Sequence, residues 1–237
     1  MDISNRNVLV FDIETIGDSI DDYPQDIQEY LTKSADTDEK KLELIQEFGL
    51  NPLTGKIAAL GLMDNKKDKG CILVNCEEDT QLCNNHKNFT YLKGDEKFII
   101  TKFWEIVVKG GYNVFVTFNG RDFDCPFIML RSLFHKIKPP VNLMKGSDYT
   151  SRDNHVDLMK EFNFYAYSSK GGARRKFNLH FYCNKFGIKS PKADGYSGNI
   201  VAQLVEEKRY QELADYCIGD VVAENQLFCF WNEYFNI

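Results

Sequence analysis

An α/β domain built on a mixed sheet is the fold class this sequence predicts, and three observations carry the prediction. Residues 7–13, which run into "VLVFDIETIGD" (8–18), and residues 112–118, "YNVFVTF", are almost continuously apolar, as strands covered on both faces are. "KIAALGLMD" and "CILVNCE" are two apolar runs joined by the polar "NKKDKG", a hairpin signature. From residue 94 onward, helical and strand periods alternate. Together these give a five-stranded mixed sheet flanked by helices, with three antiparallel N-terminal strands followed by parallel ones. At 237 residues and 43% hydrophobic composition, the chain suits one domain spanning residues 1–237.

The first strand is expected at the centre of the sheet. Residues 18–48 follow as an acidic insertion, partly helical, in which "DEKKLELIQEF" shows apolar residues at helical spacing with Asp38 as the expected cap. A solvated face is the reading that fits it best. The hairpin then extends the first strand antiparallel. "GDEKFIITKFWEIVVKGG" repeats apolar residues at Phe98, Ile99, Phe103, Ile106 and Val107 and stops at Gly110 and Gly111, which predicts a helix. After "YNVFVTF", the stretch "NGRDFDCPFIMLRSLFHK" becomes helical from Pro126, so the strand-to-helix junction falls on its acids. "NHVDLM" reads as a short last strand, and "NLHFYCNKFGI" as a helix opened by Asn178 and closed near Gly187. The C-terminal stretch from Asn199 reads as one or two helices that pack Val221, Val222, Leu227 and Phe228 inward. There is no internal repeat, low-complexity tract or interdomain linker.

Composition excludes several classes. No apolar run reaches about 18 residues and no basic segment precedes an apolar one with a cleavage site, so neither a membrane span nor a secretory leader is expected. A cytoplasmic address and no membrane partner are the expectation. The seven cysteines are scattered without a CxxC pair, as in a reduced protein. Cys83 and His86, with Cys71 and Cys76 upstream, lack the paired short spacings of structural zinc. The net charge of −6 argues against a polyanionic partner, but the charge is polarised. From Ile16 to Phe48 ten acids face three lysines, whereas Phe162 to Ala193 holds no acid and carries Lys170, Arg174, Arg175, Lys176, Lys185, Lys189 and Lys192.

The acids carry the chemistry. Strand alternation puts Asp12 and Glu14 on one face, about 7 Å apart at Cα, where both can reach one ion. Two adjacent carboxylates repel and raise one another's pKa unless cations lie between them, and hard oxygen ligands select Mg²⁺ or Mn²⁺. Asp124 in "FNGRDFDCPF" begins a helix at the mouth of the sheet, with Asp122 as a competitor whose simpler role is a helix N-cap. Tyr216 and Asp220 in "YCIGD" are four apart and share a helical face. Taken singly, each motif has a bland reading as a solvated acid or a core aromatic, and Met159, Tyr165 and the aromatics around Phe177 read as core.

Together, Asp12-x-Glu14, Asn119-x3-Phe123-Asp124 and Tyr216-x3-Asp220, in this order, resemble the DEDD exonucleases, which are ribonuclease-H-like 3′–5′ exonucleases. The pattern looks most like the proofreading domain of B-family DNA polymerases. The tyrosine marks the DEDDy branch, since no histidine here lies five residues before an aspartate. "GDEKFIITKFWEIV", "NLHFYCNKFGI" and "YCIGDVVAENQLF" extend the resemblance, to a stand-alone family related to that domain, over nearly the whole chain. The acidic insertion and the "YSSKGGARRK" loop depart from it.

The resemblance implies a ribonuclease-H-like fold and two divalent ions, Mg²⁺ or Mn²⁺, held by Asp12, Glu14, Asp124 and Asp220. Asp12 would bridge both ions, Glu14 and Asp220 would complete the site of the ion carrying the attacking water, and Asp124 would serve the second. Tyr216 would orient or help deprotonate that water, and the products would be nucleoside 5′-monophosphates. Thr15 and Glu14 through their backbone, with Asn119 and Phe123, would touch the terminal nucleotides. The implied partner is single-stranded nucleic acid with a free 3′ end, DNA ahead of RNA, with room for a separate polymerase or repair protein. Independently of the resemblance, Lys170, Arg174, Arg175 and Lys176 beside two glycines form a candidate phosphate-gripping loop. Two rival readings stand beside it: an RNA-trimming exonuclease, and a nucleic-acid-binding module of the same fold without catalysis.

Overall fold

The structure, a computed structural model, describes residues 3, 5–147, 150, 152–166, 172–189 and 200–236. Its sheet has six strands, not the expected five: β1 (Val8–Gly17), β2 (Gly55–Asp64), β3 (Lys69–Asn75), β4 (Phe89–Gly94), β5 (Val114–Thr117) and β6 (His155–Asp157). They lie in the order β4-β3-β2-β1-β5-β6. β1, β2 and β3 pair antiparallel, while β3–β4, β1–β5 and β5–β6 pair parallel. The strand missed in the sequence is β4, an edge strand in which only Phe89 is buried and polar Thr90 and Lys93 interrupt the apolar pattern.

Helices α1 (Gln25–Thr32), α2 (Asp38–Gln46), α3 (Glu96–Lys109), α4 (Asp124–Phe134), α5 (Leu158–Phe162), α6 (Leu179–Phe186), α7 (Ile200–Glu206) and α8 (Tyr210–Tyr234) complete the fold. Alternation along β1 divides the core. Val8 and Val10 join the cluster that includes Leu213, Cys217, Val221, Leu227 and Phe228 of α8, whereas Leu9, Phe11 and Ile13 join Phe103 and Val107 of α3 and Phe127 of α4. Asp12 and Glu14 therefore continue the α8 face of the strand. Val222 is only partly buried, packed at the margin of that first cluster.

Caps follow local chemistry. Asp95 accepts from the Phe98 N–H and opens α3; Asn178 accepts from the Phe181 N–H and opens α6, which closes on left-handed Gly187 at φ 69°. In the insertion the cap of α2 is Thr37 rather than Asp38, because the Thr37 hydroxyl reaches the Lys40 N–H. No residue of α1 or α2 is buried, so the insertion is a solvated face, anchored by buried Phe48 and by the Thr15 hydroxyl donating to the Gly49 carbonyl at 2.7 Å.

Candidate active site

The candidate site forms where β1 outruns its neighbour. β5 pairs only with Val8, Leu9 and Val10 of β1, so among the described residues the edge of β1 beyond them has no strand partner on that side. The Ile13 N–H there donates to Asp124 Oδ1 at 3.0 Å, which ties the first residue of α4 to the acid-bearing end of β1. From the other face α8 approaches closely, because β2 offers Gly61 opposite Asp12. A Cβ on Gly61 would lie 2.6 Å from Val221 Cγ2 and 3.1 Å from Cys217 Sγ, so a larger residue would push α8 off the sheet. The approach brings Tyr216 and Asp220 to Asp12.

Asp12, Glu14, Phe118, Asn119, Phe123, Asp124, Met159, Asn178, Leu179, Tyr216, Asp220 and Glu224 line one cleft of about 350 Å³. An adjoining groove of about 660 Å³ shares Glu14 and Phe123 and adds Thr15 with Glu43, Gln46 and Glu47 from the insertion. Met159, assigned to the core in the sequence reading, is 8% exposed and also borders the cleft.

The electrostatics are those of crowded acids. Burial pushes the Asp12 carboxyl well above the usual carboxylate range, and the charges of Glu224, Asp124, Glu14 and Asp220 push it further. Burial also lifts Asp124 to about 7, against the pull of the Ile13 N–H. Tyr216 hydrogen-bonds Asp220; burial, then the Glu14, Asp220 and Asp12 charges, holds its pKa far up and the phenol protonated.

Asp122 is not the N-cap of α4: that position falls on Phe123, without a side-chain bond, and Asp122 turns outward to Lys160 Nζ at 2.7 Å and Lys176 Nζ at 3.9 Å. The cations of the basic loop separate. Arg174 donates to the Phe164 and Asn163 carbonyls at 2.6 and 3.3 Å, Lys176 faces Asp122, and Arg175 lies 4.8 Å over the Phe177 ring. Lys170 lies outside the described residues.

Two acids escaped the sequence reading. Glu224, 1% exposed, accepts from the Phe118 N–H at 3.2 Å through Oε1, while its buried Oε2 has no hydrogen-bond partner among the described residues. Burial, then the Asp124 and Asp220 charges, raises its pKa well above normal. The signal was available, since Tyr216, Asp220 and Glu224 form one i, i+4 row and Glu224 interrupts an apolar face. Asp157, 1% exposed at the end of β6, accepts from the N–H groups of Asn119, Arg121 and Lys160 at 3.0, 3.0 and 3.3 Å. It holds the turn in which Asn119 adopts φ 67°, a conformation asparagine tolerates better than most residues.

These residues fit divalent cations. Among the described residues one group of His, Cys, Asp or Glu ligand atoms lies within 4.8 Å of one another, that of Asp12, Glu14 and Cys217. Burial raises the Cys217 pKa and keeps it a thiol, which leaves carboxylate oxygens as the donors, the choice of a hard ion. Glu224 lines the same cleft. Cys71, Cys76, Cys83 and His86 make no such group; His86 instead lies 3.5 Å from Asp215.

Among the described residues no helix is long and apolar enough to cross a membrane. Residues 70–234 match a family model described as a predicted 3′–5′ exonuclease related to the exonuclease domain of PolB; the match includes Asp124, Tyr216 and Asp220 and starts after Asp12 and Glu14. An uncharacterized protein of Methanocaldococcus jannaschii is 28% identical over 171 residues, 72% of this chain and 77% of that protein. DNA polymerase 1 of Sulfolobus acidocaldarius is 32% identical over 83 residues, 32% of this chain and 9% of the polymerase. The family B DNA polymerase of Pyrobaculum calidifontis shares the fold, ribonuclease-H-like, over 96% of this chain at TM-score 0.57 and 16% identity, and this chain spans 24% of it. Because the family match covers most of its length, this chain belongs to the predicted 3′–5′ exonucleases related to the exonuclease domain of PolB.

Proposed function

We propose that the protein is a metal-dependent 3′–5′ exonuclease that hydrolyses single-stranded DNA ends to nucleoside 5′-monophosphates. The observation that carries this reading is the meeting of Asp12, Glu14, Asp124, Tyr216 and Asp220 in one cleft, from three separate elements. The DNA polymerases among its relatives favour DNA over RNA.

Asp12, Glu14, Asp124 and Asp220 would hold two Mg²⁺ or Mn²⁺ ions. Bound there, such ions lower the pKa of water and offset charge developing on the phosphate. The chain's own contribution is to keep these groups in place. Asp124 is fixed by the Ile13 N–H, and Asp157 fixes the turn that carries Asn119 toward the terminal nucleotide. Phe123 lies between the cleft and the adjoining groove, where its ring can stack on any base, which suits degradation without sequence preference. Burial, the largest cause of the raised Tyr216 pKa, makes the phenol a donor that orients the attacking water rather than a base that deprotonates it.

The test is a 3′-end degradation assay on matched 5′-labelled DNA and RNA oligonucleotides with Mg²⁺ or Mn²⁺. Stepwise shortening of DNA, abolished by Asp12→Ala, is the expected result. Intact oligonucleotide in both metals across a range of salt would refute the reading, and faster loss of RNA would transfer it to an exoribonuclease.

A further inference from the structure

Beside the cleft, α6 opens with a column of rings and cations. Arg175 Cζ lies 4.8 Å from the Phe177 ring centroid, Phe177 and Phe181 stack at 4.2 Å with 14° between their planes, and Lys185 Nζ lies 5.6 Å from the Phe181 centroid. Phe177 is anchored below by an edge-on contact with Tyr182, while Phe181 is 38% exposed. Asn178 and Leu179, between the two rings in sequence, line the catalytic cleft, so the column starts where the cleft ends.

We propose that this column is the binding track for the single strand leading into the cleft: bases stack on its rings and guanidinium, and Lys185 and Arg175 pair with the phosphates between them. The proposal rests on the exonuclease reading for its direction of travel. Three considerations carry it. Arg174 and Lys176 of the same segment are engaged with backbone carbonyls and with Asp122, whereas among the described residues neither Arg175 nor Lys185 enters a salt bridge. An exposed cation on a ring is weakly held, so an ammonium can leave the ring for a phosphate while a base takes its place. The segment from Phe162 to Ala193 contains no acid, so none of its own side chains opposes a phosphate backbone. The chain thus presents its cations where the strand arrives, although its net charge is −6.

The experiment compares wild type with Phe181→Ala, Phe181→Tyr and the pair Arg175→Gln/Lys185→Gln. Tyr30→Ala serves as a control, because Lys33 covers Tyr30 at 4.6 Å in the insertion and makes a similar exposed pair away from the cleft. Binding of a fluorescent oligothymidylate is read by anisotropy in EDTA, and cleavage of long and dinucleotide substrates is read with Mn²⁺.

Phe181→Ala is expected to weaken oligonucleotide binding about tenfold, with the loss carried by KM and shrinking on the dinucleotide. Phe181→Tyr should restore it, and the double glutamine variant should flatten the salt dependence. Wild-type cleavage with Phe181→Ala indistinguishable from it, or from Tyr30→Ala, would overturn the column and leave the exonuclease reading standing. An oligonucleotide bound through Phe181 yet never cleaved would overturn the exonuclease reading and leave the column as a single-strand site. No binding by wild type would overturn the column.

Discussion

Crowding buried acids has a thermodynamic signature that needs no substrate. Asp124 has its carboxyl pKa raised from an ordinary 3.8 to about 7 by burial. A group whose folded pKa lies above its unfolded one binds more protons when folded, so its stabilising contribution is complete below the unfolded value and is lost as pH rises through the folded one. Between about pH 5.5 and pH 7 this one carboxyl removes on the order of 2 kcal/mol, and Asp12 and Glu224 act in the same direction. For a chain of this size that corresponds to a fall in Tm of roughly 4–8 °C.

Divalent cations bind the deprotonated carboxylates, so their stabilisation must grow over the same interval. At about a hundred times Kd the increment reaches about 2.7 kcal/mol. Thermal melts in EDTA and in Mn²⁺, at several points between about pH 5.5 and pH 8, measure both slopes. In EDTA the Tm should fall with rising pH, Mn²⁺ should reverse the fall, and Asp124→Asn should flatten it. A Tm in EDTA that stays level or climbs, or a Mn²⁺ increment equal at both ends, would refute the account of the site as unrelieved acids.

Four further outcomes follow from single contacts. Asp124→Asn should abolish cleavage while Asp122→Asn, whose partners are Lys160 and Lys176, leaves it near wild type; equal activity of the two variants would make Asp122 the ligand. Tyr216→Phe should lower kcat about 10- to 100-fold with the Mn²⁺ increment in Tm nearly unchanged, as for a group that orients rather than ligates. Glu224→Gln should raise the Tm in EDTA, because it removes one of the charges acting on Asp12, and weaken Mn²⁺ in calorimetry by about tenfold; a lower Tm in EDTA would contradict this. Glu96→Ala should cost about 3–5 kcal/mol in urea denaturation, because it strands Arg131, whose Nε and guanidinium donate to Glu96 at 2.8 and 2.5 Å, in a buried position. Although burial works to raise the Glu96 pKa, the Arg131 and His135 hydrogen bonds hold it below 4.5, so this stability is present above that value and is lost as pH falls through the lower one.

What could be read in the sequence was what is periodic or spaced. The helices α3, α6 and α8, their caps at Asn178 and Gly187, and the central β1 follow from local pattern. β4 did not, because an edge strand with one wet face has no continuous apolar run, and its parallel pairing with β3 depends on a crossover through residues 76–88. The acids of β1, α4 and α8 were legible as spaced pairs, and Glu224 continues the Tyr216–Asp220 row, but the contacts that give Asp157 and Glu224 their roles were not, because they run to Asn119, Arg121 and Phe118, more than thirty residues away. Phe177 was legible only as an aromatic. Its stacking on Phe181 depends on where Asn178 starts α6, a detail of cap geometry rather than of composition.

The acids in the cleft and behind it are not equivalent, and the difference tells where charge remains uncompensated. Asp157 accepts three backbone N–H groups and stabilises the turn after β5, so its charge is largely engaged by the fold. Asp124 accepts from the Ile13 N–H and from its own, and Glu224 from the Phe118 N–H, its second oxygen having no partner among the described residues. At Asp12 nothing offsets burial: every contribution to its pKa raises it, four of them from neighbouring carboxyls. Backbone donors thus hold the periphery of the cluster, while among the described residues none reaches Asp12 at its centre. A cation placed among these groups gains most at Asp12, because there it relieves desolvation and mutual repulsion together. The apolar flanks of β1 fix that residue in place by packing Phe11 and Ile13 against α3 and α4, so the cost of assembling the charges is met when the chain folds and not when the substrate arrives.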